Sequence, residues 1–232
     1  MNETSAQRWG AASGFAVVLV GAAAMVFERG AVTPADPAGT VVAHFVGNRG
    51  AILAQSMLFL AGGALYLWFL GSLRSFLCRA EGGTGRVSAI AFGAGLVWVV
   101  VSMLAQGFQI GVATAADAGV PPALIGTMNA VFTISALPLA VLLAAAAVVT
   151  LRQHAFPAWL GWLAVVAAVT QLLLWCGSVI GSGPLAPDGW LSYVLYPAFL
   201  LWQIPATVVM VRRAGRPSVE DAPRDPDLVR RP

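Results

Sequence analysis

The sequence predicts an all-α fold: a polytopic membrane bundle of six transmembrane helices with both termini on the cytoplasmic side. Three observations predict it. Hydrophobic residues fill 59% of the 232 positions and charged ones only 10%, with a mean hydropathy of +0.81; a soluble domain carries about 25% charged residues and could not build its surface from so few. Five stretches, 50–73, 87–116, 122–151, 158–187 and 189–211, contain no charged residue, and a shorter one covers 10–27. All 13 positive charges are arginines, lysine is absent, and the arginines gather between those stretches on alternate sides very unequally.

A crossing needs about 20 apolar residues to match a hydrocarbon core of about 30 Å. The first span, 10–27, is the shortest. Arg8 and the run Ala22-Ala23-Ala24 also suit a cleaved signal peptide, but the apolar run continues to Phe27 past the small residues, which favours a retained helix. The long connection from Glu28 to Arg49 follows, and Asp36 before Pro37 predicts the N-cap and first position of a short interfacial helix. Further spans are predicted at 50–71, 87–111, 123–150, 158–180 and 190–211, with tight connections at 117–122 and 181–189. The apolar runs are continuous rather than alternating, which excludes barrel strands. Pro138, Pro197 and Pro205 fall inside spans and predict kinks. From Arg212 onward six arginines mix with four acidic residues around four prolines, so residues 212–232 read as a disordered tail beyond a transmembrane domain of 1–211.

Orientation comes from the arginines, which stay on the cytoplasmic side of short loops. With the N-terminus inside, Arg8, Arg74, Arg79, Arg86, Arg152 and the six of the tail are cytoplasmic, and Arg29 and Arg49 are outside. Eleven against two predicts N-in and C-in. Trp68, Trp159 and Trp162 then mark the inner interface and Trp190 the outer one, as an aromatic belt does. Cys78 and Cys176 fall at opposite depths and cannot form a disulfide.

Polar residues inside spans are costly and point to function first. Gln55, Gln106, Gln109, Asn129, Gln171, Tyr193 and Tyr196 fall within roughly 15 Å of the outer surface at a rise of about 1.5 Å per residue. Ser102, Gln106 and Gln109 share one helix face at i, i+4 and i+7, and Gln171, Trp175 and Ser178 share another. These nine positions (Gln55, Ser102, Gln106, Gln109, Asn129, Gln171, Trp175, Tyr193 and Tyr196) form the candidate ligand pocket, opening outward. A second reading stays open beside it. Neutral amides and hydroxyls also join helices by hydrogen bonds worth about 0.6 kcal/mol, and Gly107-xxx-Gly111 and Gly177-xxx-Gly181 predict close backbone packing in the same layer.

Enzyme signatures fail. His44 and His154 lie in loops on opposite sides, so they cannot pair around haem or zinc, and His44 with Glu28 and Asp36 lacks ligand spacing. Gly177-Ser178 and Gly181-Ser182-Gly183 superficially resemble an intramembrane serine-protease loop, but no histidine stands on a neighbouring helix to activate the hydroxyl. With no embedded carboxylate there is no proton relay. The sequence therefore predicts no catalytic residue, metal or cofactor. Its partners are the bilayer, a small neutral or lipid-like ligand, and a membrane-protein partner or second copy; no basic, aromatic-interleaved face suits nucleic acid.

The run Leu67-Trp68-Phe69-Leu70-Gly71-Ser72-Leu73-Arg74, the segments Arg79-Ala80-Glu81-Gly82-Gly83 and Gly85–Gly93, and Pro157-Ala158-Trp159-Leu160-Gly161-Trp162 carry a likeness. Together they resemble a group of uncharacterised six-helix integral membrane proteins of high-GC Gram-positive bacteria, over about residues 10–180. The resemblance implies the six-helix fold and the bacterial plasma membrane, and no activity. Read from the residues, Arg74, Arg79 and Arg86 are an inner-face anchor, with Glu81 as a salt-bridge partner in the same loop.

Overall fold

The computed structural model describes residues 3–30, 32–180, 183–186 and 189–214, so the tail from 215 onward and Gly181 lie outside it. Among the described residues the chain forms helices α1 (Glu3–Met25), α2 (Ala38–Gly47), α3 (Arg49–Glu81), α4 (Arg86–Ala115), α5 (Pro122–Ile134), α6 (Ala136–Gln153), α7 (Ala158–Gly177), α8 (Trp190–Leu195) and α9 (Phe199–Ala214). Six units are long and apolar enough to cross a membrane: α1, α3, α4, α5 with α6, α7, and α8 with α9. Helix is the form that lets each crossing segment satisfy its own backbone where no water is at hand.

Short connections make sequence neighbours into antiparallel spatial neighbours. α1 packs on α3, α3 on α4, α4 on α6, α6 on α7 and α7 on α9, and α9 closes the ring against α1. The fourth crossing is the hub. Its most apolar window is 61% buried, against 17–44% for the other five. α6 is apolar all round and rich in alanine, with Leu139, Leu142, Leu143, Ala146 and Val149 fully enclosed; small side chains let neighbouring backbones approach where the bilayer supplies no hydrophobic drive. Gly95 of α4 shows how closely: a Cβ there would run into Leu70 of α3 and Leu142 of α6.

α3 and α4 outlast their predicted spans. At about 1.5 Å per residue, the 33 residues of α3 extend about 50 Å, well beyond the hydrocarbon. The apolar run ends at Leu73, yet Phe69, Leu73 and Leu77 keep one face buried for two more turns while Arg74, Ser75 and Arg79 stay exposed. Packing, not apolarity alone, sets the helix end.

The two ends of the bundle close differently. At the arginine end Arg74 lies over the Phe92 ring (5.6 Å) and Arg213 over Phe76 (5.8 Å), while Arg213 Nη1 donates to the Ala155 carbonyl at 2.5 Å. Glu81 makes no salt bridge among the described residues. Its carboxylate instead accepts from the Val87 and Ser88 amides, at 2.7 and 2.8 Å, and from Ser88 Oγ at 2.5 Å. Those amides are the unpaired donors of the first turn of α4, where an anion also meets the positive end of the helix dipole. At the opposite, loop end, Arg49 pairs with Asp117 and its Nε donates to the Ala113 carbonyl at 2.9 Å, closing the C-terminus of α4.

The short helix after the first crossing is α2, but it does not begin as expected. Pro37 is its N-cap, no side chain caps it, and Asp36 instead accepts from the Thr33 amide at 2.6 Å, tying the turn that precedes the helix. Val41 and Phe45, one turn apart, bury against Ile52, Val112 and Ile125, so the apolar face of α2 is taken up by the protein. The proline expectations divide. Pro138 lies beyond a break at Ser135, between α5 and α6; Pro197 sits in a 3₁₀ turn, Tyr196–Ala198, between α8 and α9; Pro205 stays within continuous α9.

Gly95→Val should lower thermal stability in detergent by about 1–3 kcal/mol through overpacking between α3, α4 and α6. Gly93→Val, two residues away where a Cβ meets nothing within 4 Å, carries the same propensity change and should leave stability almost unaltered.

Candidate functional site

α4 turns Trp98, Ser102 and Gln106 along one stripe at i, i+4 and i+8, facing the bundle interior. Tyr66 of α3 meets that stripe: its ring stands 4.7 Å from Trp98 at 72°. Phe199 lies 5.5 Å from Trp98, Tyr196 lies 6.1 Å from Phe199, and Phe132 of α5 stacks on Tyr196 at 4.6 Å. The Tyr196 phenol comes near both Ser102 and Trp98. No hydrogen bond of good geometry results. Tyr66 Oη, Trp98 Nε1, Ser102 Oγ and Gln106 Oε1 are all enclosed without a partner.

Within about 12 Å along α4, the bundle thus holds a hydroxyl, a phenol, an indole N–H and an amide oxygen between aromatic rings. Such a set can donate to and accept from an uncharged molecule. It borders both helix breaks. Phe132 precedes the break at Ser135, and Tyr196 begins the 3₁₀ turn. At the first break Ser135 Oγ donates to the Phe132 carbonyl at 2.6 Å and Thr133 Oγ1 to the Asn129 carbonyl at 3.0 Å.

Of the nine residues singled out in the sequence, Ser102, Gln106 and Tyr196 meet in this cluster. Gln171 is fully buried beside it, and its Nε2 donates at 3.3 Å to both the Leu195 and Tyr196 carbonyls, serving the backbone at the second break. Gln55 is buried at the loop end and donates to Glu28 Oε2 at 2.7 Å. Gln109 and Asn129 are half-buried, and Trp175 and Tyr193 are exposed, 39% and 56%, so Trp175 and Gln171 do not share a buried face. Ser178 donates to the Trp175 carbonyl at the end of α7.

Sequence reasoning passed over Tyr66 and Trp98. Their depth was the available signal: an interfacial belt places aromatic residues with polar tips at span ends, and these two stand in mid-span. The glycine expectations also change. A Cβ on Gly107 or Gly111 would meet nothing within 4 Å, and both line a shallow apolar groove of about 240 Å³ with Leu104, Phe108 and Leu124 instead of packing on another helix of the chain. Gly177 lies against the Leu185 carbonyl of the following loop. Among the described residues no three of His, Cys, Asp and Glu gather as metal ligands; Glu28 and Asp36 are engaged as above, and His44 stands edge-on to Phe45.

Compared with family models, curated proteins and solved structures, the chain matches none of them.

Proposed function

We propose that this is a non-enzymatic, multi-pass protein of the bacterial plasma membrane that binds a small neutral or lipid-like molecule at the polar–aromatic cluster, and moves it when the two broken helices shift. One observation carries the reading: four polar atoms of α3 and α4 are enclosed without partners beside Tyr196. An unpaired polar group away from water costs about 1–3 kcal/mol on mutational scales, and a bilayer offers no water as relief. A ligand carrying a carbonyl or hydroxyl would take up those donors and the Gln106 oxygen. The breaks at Ser135 and Tyr196–Ala198 flank the cluster and supply hinges for access, since segment ends absorb backbone rotation.

The proposal includes the topology. Both termini are cytoplasmic, because the eleven-to-two arginine division follows the positive-inside rule. α2 then lies at the outer interface.

A second reading, packing on a partner or a second copy, is favoured by the open Gly107 and Gly111 face with its shallow groove. Small residues at that spacing bring membrane helices together. Gly107→Leu should leave the oligomeric state in detergent unchanged if ligand binding is the function, and should convert an oligomer to monomer if association is.

Tyr66→Phe separates ligand site from helix glue by sign. Removing a hydroxyl that lacks a partner should raise thermal stability by up to about 1 kcal/mol and abolish retention of a co-purifying small molecule in native mass spectrometry. A loss of about 0.6 kcal/mol with no change in retained mass would sink the ligand reading. For topology, Arg152→Cys in a background lacking Cys78 and Cys176 should react with an impermeant maleimide only after the cells are opened.

A further inference from the structure

A groove of about 620 Å³ runs between α1, α3 and α9 at the arginine end, and none of its lining residues belongs to the polar–aromatic cluster. We propose that it holds one anionic phospholipid, with the phosphate at Arg79 and the upper part of an acyl chain along Leu67 and Trp68. Along α3 the lining runs from Leu67 and Trp68 through Ser72 and Ser75 to Phe76 and then Arg79. The rise from Leu67 to Arg79 is about 18 Å, and it leads from an apolar wall past hydroxyls and one ring to a cation, as a phospholipid leads from chain to headgroup. Leu67 belongs to the charge-free stretch that ends at Leu73 and stands at the edge of the hydrocarbon, with Trp68 at the inner interface. Arg79 lies two turns beyond Ser72, at headgroup depth.

Charge complementarity selects the lipid class. Arg79 is exposed and has no ion-pair partner among the described residues; the acid nearest in sequence, Glu81, is committed to the first turn of α4. Arg213, resting on the Phe76 ring that lines the same groove, adds a second positive charge. Trp68 is 72% exposed, so the groove faces outward from the bundle, where lipid is the surrounding medium. What the residues decide is therefore which lipid stays.

The test is native mass spectrometry of the full-length protein released from bilayers of equal phosphatidylglycerol and phosphatidylcholine. The wild type should retain one phosphatidylglycerol with a preference of at least about fivefold, the value of one cationic side chain near an anionic headgroup. Arg79→Gln should erase that preference. Arg152→Gln, at the same end but outside the groove, should keep it. Gly71→Leu places a side chain where a Cβ meets nothing within 4 Å, and should block retention without lowering thermal stability. Equal retention of both lipids by the wild type would overturn the proposal. So would equal losses in the Arg79 and Arg152 variants, which would mean general surface attraction, or displacement of the lipid by inorganic phosphate, which would mean an anion site without an acyl groove.

Discussion

A carbonyl or an amide inside hydrocarbon has no water to fall back on, and that constraint orders this structure more than any single contact. The crossing segments carry no charge to pair, so cohesion falls to close packing around α6 and to the placement of neutral donors. Around the first break Ser135 and Thr133 bond carbonyls of their own helix, as Thr150 does within unbroken α6, whereas Gln171 reaches across from α7 to two carbonyls at the second. Gln203 does the same between crossings, its Nε2 reaching the Gly14 carbonyl at 3.4 Å.

At the ends, where water and headgroups return, charges reappear and do a different task. Glu81 answers the free amides that open α4, and Arg49 answers a carbonyl at its close. α4 is thus held at both termini by groups from α3, and Trp98, Ser102 and Gln106 keep a fixed register against Tyr66. The end groups and the interior cluster are connected through the rigidity of one helix.

The number of crossings could be read from the sequence because a charge-free run of 20 or more residues has few structural outcomes. The hub could not. All six runs are apolar, and only the alanine content of 140–147 hinted that this crossing would sit innermost. Helix ends were misread wherever amphipathic packing replaced apolarity as the cause: Leu73 and Leu77 carry α3 past its first arginine. The polar residues were legible as a set and not as a site. Spacing put Gln171 and Trp175 on one face, but burial separates them, because the 3₁₀ turn at Pro197 draws Gln171 inward to its carbonyls. Asp36 was read as a helix cap from its place before Pro37, yet the Thr33 amide, three residues back, claims its carboxylate.

The same geometry divides the amides between two roles. Gln55, Gln171 and Gln203 each donate to a definite acceptor, a carboxylate or a backbone carbonyl, and helix glue accounts for those donors. It does not account for Tyr66, Trp98 and Ser102. The Tyr66 and Trp98 rings pack edge to face at 4.7 Å and the Tyr196 phenol lies near Trp98 and Ser102, yet no bond of good geometry engages these polar atoms. Phenylalanine and alanine would fill the same space without the desolvation cost of about 1–3 kcal/mol for each unpaired group. A packed core gains nothing from a hydroxyl it leaves unbonded, whereas a binding site requires groups held open for something else. Ser56 Oγ, Trp202 Nε1, Gln203 Oε1 and Thr207 Oγ1 are enclosed without a partner as well. What sets Tyr66, Trp98, Ser102 and Gln106 apart is that they gather near Tyr196 and the two helix breaks, and the ligand reading rests on that gathering.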